Sequence, residues 1–303
     1  MKLSFATLDV FTARRFTGNP LAVVFDADGL DGARMQTIAR EFGHPETVFV
    51  LKPEAGGTAK VRIFTPAVEL PFAGHPTVGT AVILALKGHG GSGKGDSGKI
   101  VLEEKIGLVR CTVAPAGADQ GHARFLLPEL PKPAGPAAPA AAIAAAVGLA
   151  EADIGFDHLA PKRWAIGNIF TFVPVRSLDA VRRCRVNDAK WDAAFEVGGV
   201  RSQAYVFCRE TADPGNSFHA RMFALRLGVT EDPATGSAAA AFAGLAAQEL
   251  SLGGGEHRLV IEQGYEMGRP SLMELLLSLQ DGKLASASVG GPAVVVTEGT
   301  IEA

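Results

Sequence analysis

Cys111, Cys184 and Cys208 are the only cysteines in 303 residues, an odd number far apart, which argues against a disulfide framework. Charge of one sign is scarce as well. With 29 basic and 32 acidic residues interspersed, the formal net charge is −3, so there is no electrostatic footprint for nucleic acid or an anionic membrane. Long hydrophobic runs are missing: the longest candidate, 238–247, is short and made of small residues, well under a bilayer span. Met1-Lys2-Leu3-Ser4-Phe5 leads straight into a strand-like alternation rather than a signal-peptide pattern. No closely spaced His/Glu set appears, which argues against a metal hydrolase. These absences lead us to expect a soluble, cytoplasmic, globular protein with no nucleic-acid or membrane partner and no metal.

A nucleotide loop is present only in outline. The glycine- and serine-rich stretch 88–99 contains Gly88-x-Gly90-x-x-Gly93, and 88–94 imitates most of a phosphate-binding loop. Both patterns need a strand before them and a helix after. Here the order is inverted, and Gly95 stands where the phosphate loop needs a hydroxyl. A surface loop is the better reading.

What the chain does have is a repeat. His75-Pro76-Thr77-Val78-Gly79-Thr80-Ala81 is answered by Asp232-Pro233-Ala234-Thr235-Gly236-Ser237-Ala238, with Pro, Gly, hydroxyl and Ala in register. Gly18-Asn19 is answered by Gly167-Asn168, Arg62-Ile63-Phe64 by Arg221-Met222-Phe223, and Val101-Leu102-Glu103-Glu104 by Val260-Ile261-Glu262-Gln263. The order is the same in both halves. Repeats this long imply two globular halves rather than a solenoid, in keeping with a length of about two domains. With 47% apolar residues a large core is available. Strands are expected over 3–11, 21–25, 47–51 and 60–64, and an amphipathic helix over 31–42. The stretches 76–87 and 233–250 are apolar all round, as a buried central helix would be. The proline-rich segment 128–142 reads as a linker. We therefore place an N-terminal domain at 1–127, completed by 286–303 if the last strand returns to it, and a C-terminal domain at 128–285.

The repeated blocks read as helix starts, since proline suits the first helical position and Asp232 would serve as an N-cap. Capping does not account for His75, a poor cap. A duplicated scaffold carrying a different acid/base residue on each copy points to an active site built between two related domains. Free N–H groups at the helix starts would hold a small carboxylate, with Gly74, Gly236 and Ser237 allowing close approach. The dipole should keep His75 neutral and Asp232 ionised. Glu46, between helix and apolar strand, becomes a general acid/base if burial raises its pKa. Its repeat counterpart, Gln203, cannot shuttle protons.

Gly18-Asn19-Pro20, Pro45-Glu46-Thr47, Arg62-Ile63-Phe64-Thr65-Pro66, Glu69-Leu70-Pro71-Phe72-Ala73-Gly74-His75-Pro76-Thr77, Glu231-Asp232-Pro233-Ala234-Thr235-Gly236-Ser237-Ala238 and the run from Ile261 to Ser271 (IEQGYEMGRPS) resemble the PhzF-like phenazine biosynthesis family across nearly the whole chain. The resemblance implies a diaminopimelate-epimerase-like α/β (α+β) fold: two pseudo-symmetric halves, each a barrel-like, mostly antiparallel sheet around a central helix. It implies a cofactor-independent homodimeric isomerase that shifts a hydrogen in trans-2,3-dihydro-3-hydroxyanthranilate or a similar small carboxylate. Glu46 would move the proton, His75 and Asp232 would assist, and Gly74, Gly236, Ser237 and Asn19 would contact substrate. Before Glu46 this chain has Gly43-His44-Pro45 where relatives often have Asn-Leu-Ser, so His44 is expected to touch substrate or perturb Glu46.

Two rivals remain. A thiol-dependent racemase shares the fold but needs cysteines at the helix starts, where this chain has Ala73 and Pro233. Cys184 is expected in a basic loop, the other two on strands. A non-catalytic metabolite-binding protein is the other rival.

Overall fold

The computed structural model describes residues 1–91 and 98–303. The loop patterns discussed above run into 92–97 and so lie partly outside the described residues. The chain divides into two compact units, Met1–Pro128 with Ser288–Ala303, and Glu129–Ala287. Among the described residues there are six α-helices, and no helix is long and apolar enough to cross a membrane.

The first unit is a closed barrel. Its strands are β1 (Lys2–Val10), β2 (Asn19–Val24), β3 (Glu46–Leu51), β4 (Ala59–Phe64), the two-residue β5 (Glu69–Leu70), β6 (Gly98–Glu104), β7 (Gly107–Pro115) and β8 (Gln120–Leu126). Hydrogen bonding runs β1–β2–β3–β4–β6–β7–β8, with β2–β3 and β4–β6 parallel and the other neighbours antiparallel. The final strand of the chain, Lys283–Glu302, pairs antiparallel with both β8 and β1 and closes the ring.

Helix α1 (Gly32–Phe42) packs outside this barrel through Met35, Ile38 and Ala39 against Phe49 and Phe64. Asp31 caps it by accepting a hydrogen bond from Arg34 N at 2.8 Å. Gly43 ends it at φ 63°, a left-handed conformation that glycine adopts without strain. Helix α2 (Gly74–Leu86) is buried on every face from Gly74 to Ala85, as expected of an apolar helix inside a barrel. Gly79 permits the close approach: a Cβ there would lie 2.5 Å from Leu21 Cδ2 and 2.7 Å from Val10 Cγ2.

The second unit repeats the scheme. Its elements are β9 (Lys132–Pro133), α3 (Ala140–Val147), β10 (Lys162–Ile166), β11 (Asn168–Pro174), α4 (Leu178–Arg183), α5 (Asp188–Phe195), the ribbon β12 (Glu196–Val197) and β13 (Val200–Arg201), β14 (Gln203–Cys208), β15 (Phe218–Ala224), β16 (Val229–Asp232), α6 (Gly236–Glu249), β17 (Gly255–Gln263) and β18 (Ser271–Gln280). The order β10–β11–β14–β15–β17–β18 alternates antiparallel and parallel pairs as β1–β2–β3–β4–β6–β7 does. Register repeats too. Leu21 pairs with Glu46 and Phe170 with Gln203, each two residues beyond the matching asparagine. Around α6, Phe242 meets the rings of Phe172, Phe207 and Phe218 at 5.6, 5.1 and 5.1 Å between centroids.

One expectation about this half changes. The proline-rich segment 128–142 is more than a linker, because Lys132 and Pro133 pair with β10 and Pro139 introduces α3. Cys184 does lie in the connection between α4 and α5, but as the buried C-cap residue of α4 rather than at the surface, with its thiol 3.5 Å from the Ala180 carbonyl.

Candidate active site

The turn at Gly43 delivers the chain from α1 into β3, so Glu46 is the first residue of a strand held in parallel register with β2. Its side chain is 16% exposed, and Oε2 lies 3.4 Å from His75 Nε2. His75 is the second residue of α2 and is 4% exposed. Its ring also bonds the Pro20 backbone carbonyl, next to the fully buried Asn19 that opens β2. Because Nε2 faces Glu46, the nitrogen that donates to Pro20 is Nδ1. Burial is the main influence on His75, pushing its pKa down to about 3; the Pro20 bond opposes this and nearby His44 adds to it. The imidazole is therefore neutral, with an acceptor lone pair aimed at Glu46. Desolvation, rather than the helix dipole expected to act here, is the principal cause. His44 stacks on Phe42 at 6.3 Å and acts electrostatically on His75.

In the second unit Asp232 is not the N-cap of α6. It ends β16, and the helix begins four residues later at Gly236, with Thr235 as N-cap. Asp232 Oδ2 accepts the Thr235 hydroxyl at 2.5 Å. Gln263 holds this junction from the end of β17, donating Nε2 to Thr235 Oγ1 at 2.9 Å and to the Asp232 carbonyl at 2.7 Å. Gly236 and Ser237 are the first two residues of α6. Neither α2 nor α6 has a side-chain cap, so side chains leave the first-turn N–H groups open to an anion.

This geometry corrects the repeat register. Arg62 and Glu69 form a bidentate pair at 2.7 and 2.8 Å, and Arg221 and Glu231 form its counterpart at 2.8 Å for both bonds. Each guanidinium also lies over the phenylalanine two residues on, at 5.1 and 4.9 Å. The second pair spans three more residues than the first, because the 3₁₀ turn Leu225–Leu227 is inserted. Gly74 therefore matches Gly236, and His75 matches Ser237, not Asp232. The similarity of the short blocks hid this shift.

The structure brings Glu46 and His75 together in the first unit, and links Asp232 through Thr235 to the start of α6 in the second. Sequence reading missed Thr77, Glu104, Thr235 and Gln263, which brace the helix starts. The signal was available: Glu104 and Gln263 are where the matched runs at 101–104 and 260–263 differ in the ability to ionise. All three cysteines are buried. Burial pushes the Cys184 and Cys208 thiols up to about 12, and Cys111 higher, which removes the thiolate a thiol racemase needs. Among the described residues no group of three or more His, Cys, Asp or Glu side chains could hold a metal.

Comparison with known proteins agrees with this architecture. Residues 8–299 match the family model described as phenazine biosynthesis-like protein. The chain belongs to that family. It is 46% identical over 296 residues to an uncharacterized isomerase of Mesorhizobium japonicum, covering 97% of this chain and 96% of that one. It is 34% identical over 307 residues to a trans-2,3-dihydro-3-hydroxyanthranilate isomerase of Pseudomonas fluorescens, covering 98% and 99%. Among solved structures, the Bacillus anthracis phenazine biosynthesis protein of the PhzF family aligns with a TM-score of 0.88 at 28% identity, each chain covered completely. The protein is a PhzF-type isomerase, and the expected mixed α/β fold of two related halves is the one observed.

Proposed function

We propose that this isomerase shifts a hydrogen between carbons of a small unsaturated carboxylate of the trans-2,3-dihydro-3-hydroxyanthranilate type, without a cofactor. The observation that carries the reading is the Glu46–His75 contact at 3.4 Å, a carboxylate facing a neutral imidazole. Glu46 takes the proton from a carbon next to the conjugated system. The electron pair of the broken C–H bond moves along the double bonds, and Glu46 returns the proton at the far carbon. While Glu46 holds the proton, His75 Nε2 accepts a hydrogen bond from it, so the imidazole orients the carboxyl rather than relaying protons. Asp232 assists, while Gly74, Gly236, Ser237 and Asn19 contact the substrate, with the helix-start N–H groups taking its carboxylate. The relatives named for this reaction, at 30–34% identity, support the substrate class.

The test is NMR of trans-2,3-dihydro-3-hydroxyanthranilate incubated with the protein in heavy water, beside Glu46→Gln. Isomerisation that disappears in the variant supports the assignment, and deuterium at the new carbon position would show exchange of the moving hydrogen with solvent. Wild-type protein that binds this compound without converting it refutes the substrate assignment.

A further inference from the structure

Glu104 ends β6 against the first turn of α2. Its Oε1 lies 2.7 Å from Thr77 Oγ1, and the same hydroxyl lies 2.8 Å from the Ala73 carbonyl. Thr77 has one proton to give, and the carbonyl has none. Both contacts are hydrogen bonds only when Thr77 donates to Ala73 and a protonated Glu104 donates to Thr77. Apart from the Thr77 hydroxyl, none of the influences on Glu104 among the described residues favours the ionised form. Glu104 Oε2 is buried without a hydrogen-bond partner, and the titratable group acting with it from β7 is Cys111, a neutral thiol. Charges on the flanking residues are spoken for elsewhere. Glu103 accepts the backbone N–H groups of Glu54, Ala55 and Gly57, Lys60 of β4 pairs with Glu54, and Lys105 pairs with Glu69. Burial pushes the Glu104 carboxyl up to about 8, against the opposing hydrogen bond from Thr77.

The repeat supplies a second line of argument. Gln263, at the end of the matching strand β17, braces the start of α6 with a carbonyl and an N–H donor: Oε1 accepts from Thr235 N at 3.3 Å while Nε2 donates to Thr235 Oγ1. A carboxylic acid offers the same pattern, one acceptor and one donor, in nearly the same shape; a carboxylate does not.

We propose that Glu104 is a positioning residue that acts as the protonated acid, bracing Thr77 and the Ala73 carbonyl and so fixing the turn of α2 that carries Gly74 and His75. Loss of its proton leaves a buried carboxylate without a countercharge and loosens that turn. The consequence for turnover rests on the role proposed above for His75; the coupling itself does not.

The experiment follows the His75 ring resonances by NMR from neutral to alkaline pH in wild type, Glu104→Gln and Glu104→Ala, with thermal midpoints measured alongside. In wild type His75 should show a step near pH 8 although its own ring does not titrate there. Glu104→Gln should keep the wild-type resonance at neutral pH and lose the step, and Glu104→Ala should displace the resonance throughout. The folded carboxyl holds a proton that the unfolded one sheds above about pH 4.5. Wild-type stability is therefore reduced progressively between about pH 4.5 and 8, and the advantage of Glu104→Gln should widen over that interval. A wild-type His75 resonance with no alkaline step, or a step that persists in Glu104→Gln, overturns the proposal. Absence of isomerisation beside an intact step counts against the proposed reaction and leaves this coupling standing.

Discussion

His75 Nε2 and Glu46 Oε2 face each other at 3.4 Å, with the other ring nitrogen committed to the Pro20 carbonyl. One residue sits on a helix and the other on a strand. Their meeting depends on α2 running inside the barrel and on the parallel register of β2 and β3. The tautomer is fixed by the backbone, so the imidazole presents an acceptor lone pair to Glu46 and can take a hydrogen bond from that carboxyl only when it is protonated.

The first prediction concerns protonation. His75 should remain neutral from pH 8 down to pH 5, with its proton on Nδ1, as read by nitrogen-15 NMR of the ring. The pH–rate profile should accordingly lack an inflection near the ordinary histidine pKa of about 6.5 that depends on His75. Titration of this ring between pH 6 and 7 would contradict the burial argument.

Acid stability follows from the same shift. The folded pKa of about 3 is below the unfolded value of 6.5, so the stability that depends on His75 being neutral is present above pH 6.5. It falls as the pH drops towards 3, at most by about 1.4 kcal/mol per pH unit. His75→Gln should flatten that slope in urea melts taken between pH 7 and 4, and an unchanged slope would sink the idea.

The two matched ion pairs should respond unequally. The Arg221 side chain is 7% exposed and also donates to the carbonyls of Val181 and Cys184 at 3.1 and 3.0 Å. Arg62 is 26% exposed, and Lys105 also pairs with Glu69. Arg221→Met should therefore cost about 3–5 kcal/mol, and Arg62→Met distinctly less, as measured by denaturant unfolding. Equal losses would mean that the extra contacts of Arg221 add nothing.

Gly264 offers a way to disturb Asp232 without touching it. It sits at φ +80°, and a Cβ there would approach the Pro233 and Arg269 carbonyl oxygens, both at 2.5 Å. Backbone on both sides cannot yield cheaply. Gly264→Ala should lower stability by about 1–3 kcal/mol and impair turnover by shifting the segment that follows Asp232. A fully active variant of wild-type stability would show that this segment tolerates displacement.

Much of the architecture is legible in the residues. Strand and helix patterns locate α1, α2 and β1–β4 within a few positions, and the asparagines at 19 and 168 mark strands whose register matches Glu46 with Gln203. What periodicity does not carry is the three-residue insertion before Glu231, so the short blocks align on their prolines rather than on their helix starts. Burial is equally hidden. The repeat separates Glu104, matched by Gln263, from Glu103, matched by Glu262, but it does not show that one carboxyl meets Thr77 while the other organises a loop through backbone N–H groups. Alternation along β6 sends them to opposite faces and both are buried, so only the folded strand says which one is met by backbone N–H groups.

The ring of strands in the first unit also sets an order of events during synthesis. Strands β1 and β8 are made early, but the strand that joins them contributes residues 288–302 and is made only after the whole of the other unit. Until then both strands present unpaired edges, the kind of surface that recruits other chains. Residues 129–287 form one continuous segment and can reach a compact state sooner. On the ribosome, the unit begun first is therefore completed after the other, and the nascent chain is most exposed to misassembly just before residues 288–302 emerge.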